Sequence, residues 1–147
     1  MATWDEFERA APAIAAVGRS LLEQHHLAYL ATLRPDGAPR VNPVSPLIAG
    51  GRLVIATPRS SPKGRDQVRD GRCMLHMLPG ENDSEFSVRG RAREVTDPAV
   101  WADAKSQAHY VRDEDYLFEY DIEEAATAYW EKVGQPGTYP VRDRWHA

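Results

Sequence analysis

Cysteine is almost absent. Cys73 is the only one in 147 residues, so no intrachain disulfide framework holds the chain, and this usage suits a reducing compartment. Long apolar runs are missing as well. No stretch approaches membrane-spanning length, and the start Met1-Ala2-Thr3-Trp4-Asp5-Glu6 has neither the basic residues nor the apolar run of a secretion signal, so a cytoplasmic protein with no membrane partner is expected. The histidines at 25, 26, 76, 109 and 146 show no metal-ligand spacing, and no metal site is expected. Nor is there an excess of positive charge: a net charge of −4 and a pI near 5.7 argue against a nucleic-acid partner. Arg89, Arg91 and Arg93 form a basic stripe without the interleaved aromatics a nucleic-acid groove wants, and they read as a solvated or ion-paired strand face.

What is there is an ordinary globular composition, 42% hydrophobic and 27% charged, without repeats, and one domain over residues 1–147 is expected. Trp4, Phe7, Ala11, Ile14, Val17 and Leu21 recur at helical spacing. Pro12 interrupts them, which predicts a short turn of helix before Ala11 and a main N-terminal helix from Pro12 to about Gln24. The β-rich run His26 to Leu33 ends at Arg34-Pro35-Asp36-Gly37, a hairpin turn. The returning segment Pro39 to Ile48 holds three prolines and must be an edge or a heavily bulged strand. Further strands are expected at Leu53–Thr57, Arg72–Leu78, around Phe86–Arg93 and from Tyr116. The carboxylates Glu119, Asp121 and Glu123 would face the arginine stripe across a strand pair. Asp97-Pro98 starts another helix. About six strands, mostly in hairpin order with flanking helices, imply a small antiparallel barrel or rolled sheet.

The most informative stretch joins the strand ending at Thr57 to a helix. Ser61 is a good N-cap and Pro62 a good first helical residue, so the amides of Lys63 and Gly64 are expected to face Ser60 and Ser61 beside the Lys63 ammonium. From Arg59 to Arg72 five Lys/Arg stand against two Asp in an acidic chain. This is a site for a small anion, or else a capped helix with solvated arginines.

The run Leu30-Ala31-Thr32-Leu33-Arg34-Pro35-Asp36-Gly37-Ala38-Pro39-Arg40-Val41-Asn42-Pro43-Val44 resembles the opening hairpin of the pyridoxamine 5′-phosphate oxidase-like family, the FMN-binding split barrels. Thr57 with Ser60-Ser61-Pro62-Lys63 resembles that family's phosphate-binding turn, in the right order downstream. The likeness runs from about Leu22 to the strand ending near Trp130 and is closest to the flavin- or deazaflavin-dependent members. The resemblance implies a mainly β protein, a six-stranded antiparallel split β-barrel that forms a homodimer with FMN or F420 in a groove between subunits. It implies that Arg40, Val41, Asn42, Pro43 and Val44 line the ring through their backbone, that Thr57 touches it, and that Ser60, Ser61 and Lys63 hold the phosphate, with Arg59 and Arg65 as weaker candidates. The activity implied is hydride transfer between the bound cofactor and a small organic substrate, with no catalytic side chain identified. The chain lacks the oxidase's own substrate-phosphate motif near its C-terminus. The alternative is a non-catalytic cofactor- or haem-binding barrel, for which His76 is the one plausible strand ligand. Residues after Trp130, broken by Gly134-Gln135-Pro136-Gly137, are expected to extend over a neighbouring subunit.

Overall fold

The computed structural model describes residues 1–147. Its first helix, α1 (Trp4–Ala10), opens with a capping box. The Thr3 hydroxyl accepts the Glu6 N–H at 3.2 Å, and the Glu6 carboxylate accepts the Thr3 N–H at 2.8 Å. Pro12 then starts α2 (Pro12–His25), so the proline separates two helices as its missing N–H requires. Trp4 and Phe7 of α1, with Ile14 and Leu21 of α2, are buried against the sheet. Trp4 packs edge-on to Phe7 at 5.4 Å between centroids and to Phe86 at 6.1 Å. Each such fully buried aromatic contributes on the order of 2–3 kcal/mol.

Eight strands form one antiparallel sheet, two more than the sequence predicted. They are β1 (Ala28–Leu33), β2 (Pro39–Val44), β3 (Leu47–Ala49), β4 (Arg52–Thr57), β5 (Arg72–Met77), β6 (Glu85–Glu94), β7 (Tyr116–Glu131) and β8 (Tyr139–His146). Their order is β2-β1-β5-β6-β7-β4-β3, with β8 on β7 outside that path. One of the extra strands comes from the proline-rich segment. It breaks at Ser45-Pro46, so that β2 pairs with β1 while β3 pairs with β4 at the opposite end of the sheet. Two residues span little distance, so the two ends of the path must lie close together. The sheet therefore curls into a split barrel. The other extra strand is the tail. Tyr139 to His146 pair residue by residue with Glu131 to Glu124 of the same chain, instead of leaving the barrel as an unpaired extension.

Inside the barrel lie Leu30, Leu75, Met77, Phe86, Val88, Phe118 and Ile122. A second core lies beneath α4 (Pro98–Gln107), where Val100 and Ala104 meet Val54, Val95 and Leu117. The strands β4 and β7 are covered on both faces here, which is why Leu53-Val54-Ile55 is uninterrupted apolar sequence. The register of β6 on β7 shifts at Arg89/Gly90. Glu123 is the residue left over, and it accepts hydrogen bonds from Arg89 at 2.5 Å and Arg91 at 3.1 Å. This bulge changes the phase of β7, since Ile122 and Ala125, three apart, are both fully buried. The paired carboxylates expected opposite the arginine stripe are present: Arg93 also reaches Glu119 at 2.7 Å and Asp121 at 3.1 Å. No helix is long and apolar enough to cross a membrane.

A Cβ at Gly90 would overlap the Asp121 carbonyl oxygen at this bulge, whereas one at Gly137 would meet nothing within 4 Å. Gly90→Ala should therefore cost about 3 kcal/mol in urea denaturation, and Gly137→Ala, at φ +81, only the ~1 kcal/mol of left-handed strain. Equal losses would show that the bulge does not require the close approach.

Candidate cofactor site

The helix α3 (Pro62–Arg69) starts where the sequence placed it, with the Ser61 hydroxyl accepting the Gly64 N–H at 3.1 Å. That hydroxyl also donates to the Pro58 carbonyl at 2.8 Å. Ser61 and the Gly64 amide are thus committed to the cap, and the Lys63 amide is the one left facing outward from the expected pair. A Cβ at Gly64 would stand 3.0 Å from Ser61 Oγ, 3.1 Å from Pro58 O and 3.2 Å from Thr57 Cγ2, so glycine lets the first turn close on the end of β4. Thr57 is fully buried there, and its hydroxyl has no hydrogen-bond partner. An unpaired buried hydroxyl is costly, which marks the spot as more than packing.

Most arginines of this protein reach a carboxylate; Arg59 and Arg65 do not, as Arg9, Arg34 and Arg142 do not, and neither does Lys63. The Arg59 guanidinium lies over the Tyr116 ring, 4.2 Å from its centroid. Arg65 donates to the Ser60 carbonyl at 2.8 Å. Ser60 is exposed and Lys63 half-buried. Three cations without counter-charges surround the start of a helix, where the dipole also favours an anion.

The other part of the expected site is β2, which reaches α3 through Arg40. Val41 and Pro43 are exposed, Asn42 is half-buried and Val44 is buried, along an edge strand whose outer backbone groups no other strand takes up. Arg40 is the residue of this strand that reaches the helix. Its side chain points to α3, and its Nε donates to Asp66 Oδ2 at 2.6 Å. The sequence did not single out Asp66, yet the structure makes it a hub. It is 2% exposed, its Oδ2 also accepts from Thr32 Oγ1 at 3.0 Å, and its Oδ1 accepts from Arg69 at 3.1 Å. Arg69 donates further to the Leu33 carbonyl. Gln67 anchors the next position, accepting from the buried Tyr120 hydroxyl and donating to the Lys63 carbonyl at 3.1 Å. No signal in the sequence separates Asp66 from the half-buried Asp70; only the packing of α3 on β1 does so. The structure thus brings Arg40, Thr57, Ser61 and Lys63 to one helix and leaves Val41 to Val44 running along the edge.

Two other groups lie apart from this site. Burial pushes the Cys73 thiol up to about 12, so it is no nucleophile. His76 Nδ1 lies 2.7 Å from the Met77 carbonyl, which fixes Nδ1 as the protonated nitrogen and leaves Nε2 as an acceptor. His76 lines a groove of about 470 Å³ on the outer sheet face with Met74, Ser87, Ala126, Arg142 and Arg144.

The split-barrel fold agrees with the comparison of the sequence with protein families. The pattern described as pyridoxamine 5′-phosphate oxidase matches residues 15–134. The chain belongs to the pyridoxamine 5′-phosphate oxidase family. Among curated proteins no sequence matches it. Solved structures similar to it include a heme binding protein from Mycobacterium smegmatis, with TM-score 0.68 and 17% identity over 92% of this chain. This chain spans only 58% of that protein's length. PhzG from Burkholderia lata, in complex with tetrahydrophenazine-1-carboxylic acid, is similar at TM-score 0.63 and 11% identity, covering 98% of this chain and 93% of its own. HutZ, a heme storage protein from Vibrio cholerae, is similar at TM-score 0.61 and 13% identity, covering 71% and 87%. At these identities the likeness is one of fold, and the family's fold serves more than one ligand.

Burial raises the Asp66 pKa, and hydrogen bonds from Arg40, Arg69 and Thr32 together outweigh it, so the carboxyl titrates below its ordinary 3.8. The stabilisation is therefore complete above that value and is lost as pH falls through the folded-state pKa. Asp66→Asn should lower stability by about 2–3 kcal/mol at neutral pH, and in urea melts it should flatten the loss of stability below about pH 4. An acid slope identical to that of the parent protein would remove Asp66 from this role.

Proposed function

We propose that this protein is a homodimeric flavin- or deazaflavin-dependent oxidoreductase that binds FMN or F420 and passes hydride between it and a small organic substrate. The observation that carries the reading is the trio Arg59, Lys63 and Arg65 without carboxylate partners at the start of α3, beside the orphaned Thr57 hydroxyl. These groups suit a phosphate, to which Lys63 would offer a point charge. When bound, such a cofactor supplies the hydride acceptor or donor. The chain's part is to hold it: α3 at the phosphate, with the edge of β2 from Val41 to Val44 offering backbone groups to a planar ring. Orientation and exclusion of water are then the protein's contribution to rate.

A second copy is the proposed cover. Ala31 stands opposite Val41 on one side and Met74 on the other, and Tyr29 opposite Pro43 and His76. Val41 is 60% exposed, Tyr29 48% and Met74 41%, so these cross-strand neighbours form one apolar face open to solvent. Two-fold pairing through it would bring two β2 edges to a shared interface. With β8 bound to its own sheet, the part of the tail left to reach a neighbour is the exposed turn from residue 132 to 138.

The fixed tautomer of His76 favours a second reading, a haem-binding barrel. The free Nε2 would be the axial ligand, and Arg142 and Arg144 across the same groove would meet the propionates. The absorption spectrum after titration with FMN, F420 and haemin separates the two readings. A dissociation constant weaker than about 100 μM for both FMN and F420, where the site supplies only about 5.5 kcal/mol, removes the oxidoreductase reading.

Lys63→Ala should weaken binding of the preferred cofactor by about 1.5–3 kcal/mol while barely moving the melting temperature of the cofactor-free protein. Lys105→Ala, on α4, whose ammonium pairs with exposed Asp113, is the control. Equal losses would remove the phosphate role of α3. Light scattering at micromolar concentration should report a dimer, and a monomer that binds one cofactor per chain would sink the shared-groove arrangement.

A further inference from the structure

We infer that the groove crossing β5 to β8 binds a zwitterion with well-separated charges, an ω-amino acid whose ammonium meets Glu85 and whose carboxylate meets Arg142. The inference rests on neither cofactor reading. Glu85 of β6 stands opposite Ala128 of β7, and Ala128 stands opposite Arg142 of β8. The two opposite charges therefore lie in one row across the sheet, with a single methyl group between them. Both line the groove of about 470 Å³, and neither takes part in the ion pairs of this sheet.

Their separation is the informative part. Elsewhere on this sheet arginines and carboxylates of neighbouring strands join: Arg89 meets Glu123 at 2.5 Å, Arg91 meets it at 3.1 Å, and Arg93 meets Glu119 at 2.7 Å. Glu85 and Arg142 are instead two strand spacings apart, about 9–10 Å. The next row repeats the pattern, with His76, Ser87, Ala126 and Arg144 in register and the small residues again in the middle. The result is a trough with an apolar floor, a carboxylate on one side and two guanidiniums on the other. Arg144 is loosely held, with Nε 3.8 Å from Glu124, and Asp143, the other carboxylate at the groove, accepts the Arg144 N–H at 2.8 Å. Met74 borders the groove toward the proposed subunit contact, while Arg142 and Arg144 are exposed, so the end at β8 is the open one. A simple anion would meet a like charge at Glu85, and a simple cation would meet one at each arginine. A molecule carrying both charges satisfies both sides, and its hydrocarbon middle covers Ala126 and Ala128. An α-amino acid is too short, because its ammonium and carboxylate share one carbon. A flexible chain of several methylenes spans the interval.

The test titrates the full-length protein with 6-aminohexanoate by isothermal titration calorimetry at low salt, where exposed charges are least screened. Hexanoate, hexylamine and glycine are the comparison ligands. 6-Aminohexanoate should bind with a dissociation constant below about 1 mM, and each of the other three about tenfold more weakly. Glu85→Gln should cost 6-aminohexanoate about tenfold and leave hexanoate no weaker, whereas Arg142→Gln should cost about as much and leave hexylamine no weaker. Ala128→Leu, which fills the trough and keeps both charges, should also weaken 6-aminohexanoate about tenfold. Melting temperatures check that each variant folds. Where Glu85→Gln does not, Glu85→Asp, which keeps the charge and shortens its reach, replaces it with an expected loss of about threefold. A dissociation constant above about 1 mM, equal affinity for 6-aminohexanoate and hexanoate, or unchanged binding in Arg142→Gln and Ala128→Leu overturns the inference. Failure of FMN, F420 and haemin to bind, beside selective binding of 6-aminohexanoate, ends the cofactor readings and keeps the zwitterion site.

Discussion

A single buried carboxylate holds the working end of this barrel together. Asp66 comes from the helix after β4, and its three donors come from β1, β2 and its own last turn. Burying it is unfavourable, and the hydrogen bonds that offset this penalty can form only when the first hairpin and α3 are docked in one geometry. The position of α3 relative to the β2 edge follows from it, and so does the separation between the cationic loop and the strand that faces it. The Tyr120–Gln67–Lys63 chain of contacts secures the same helix to the barrel interior.

The remaining architecture serves that placement. The bulge at Gly90 turns Glu123 toward Arg89 and Arg91 and shifts the phase of β7, so that one long strand can pair with β6 on one side and with both β4 and β8 on the other. Helices α1 and α2 fill the sheet with Trp4, Phe7 and Leu21. Helix α4 covers the outer side of β4 and β7, where a bare apolar face would otherwise remain.

Local chemistry made much of this legible in the sequence. Ser61-Pro62 and Asp97-Pro98 mark helix starts through capping and missing N–H groups, and both helices begin there. Pro12 divides the N-terminal helix for the same reason. The family resemblance drawn from the opening hairpin and the Ser60-to-Lys63 turn holds, while the strand count does not. The tail from Tyr139 to His146 carries Pro140 and the consecutive charged residues Arg142-Asp143-Arg144, so it shows none of the apolar periodicity that identified the other strands, and it is recruited by the long edge of β7. Asp66 and the direction of Arg40 were illegible for a different reason. Burial of a charge depends on which elements dock, and nothing in the local pattern records that.

The connection Ser45-Pro46 has a kinetic meaning. Each hairpin, β1 with β2, β3 with β4, β5 with β6 and β7 with β8, joins near neighbours in sequence, whereas β1 with β5 and β4 with β7 join strands separated by a long stretch of chain. Loop-closure entropy delays such distant pairings, so the early hairpins must wait for the sheet to roll shut. Because the two-residue link yokes the outer strands of two hairpins, closure of the roll is concerted, and the docking of α3 against β1 and β2 is completed only at the end of folding. The Asp66 hydrogen-bond cluster is therefore a report that the whole chain has folded.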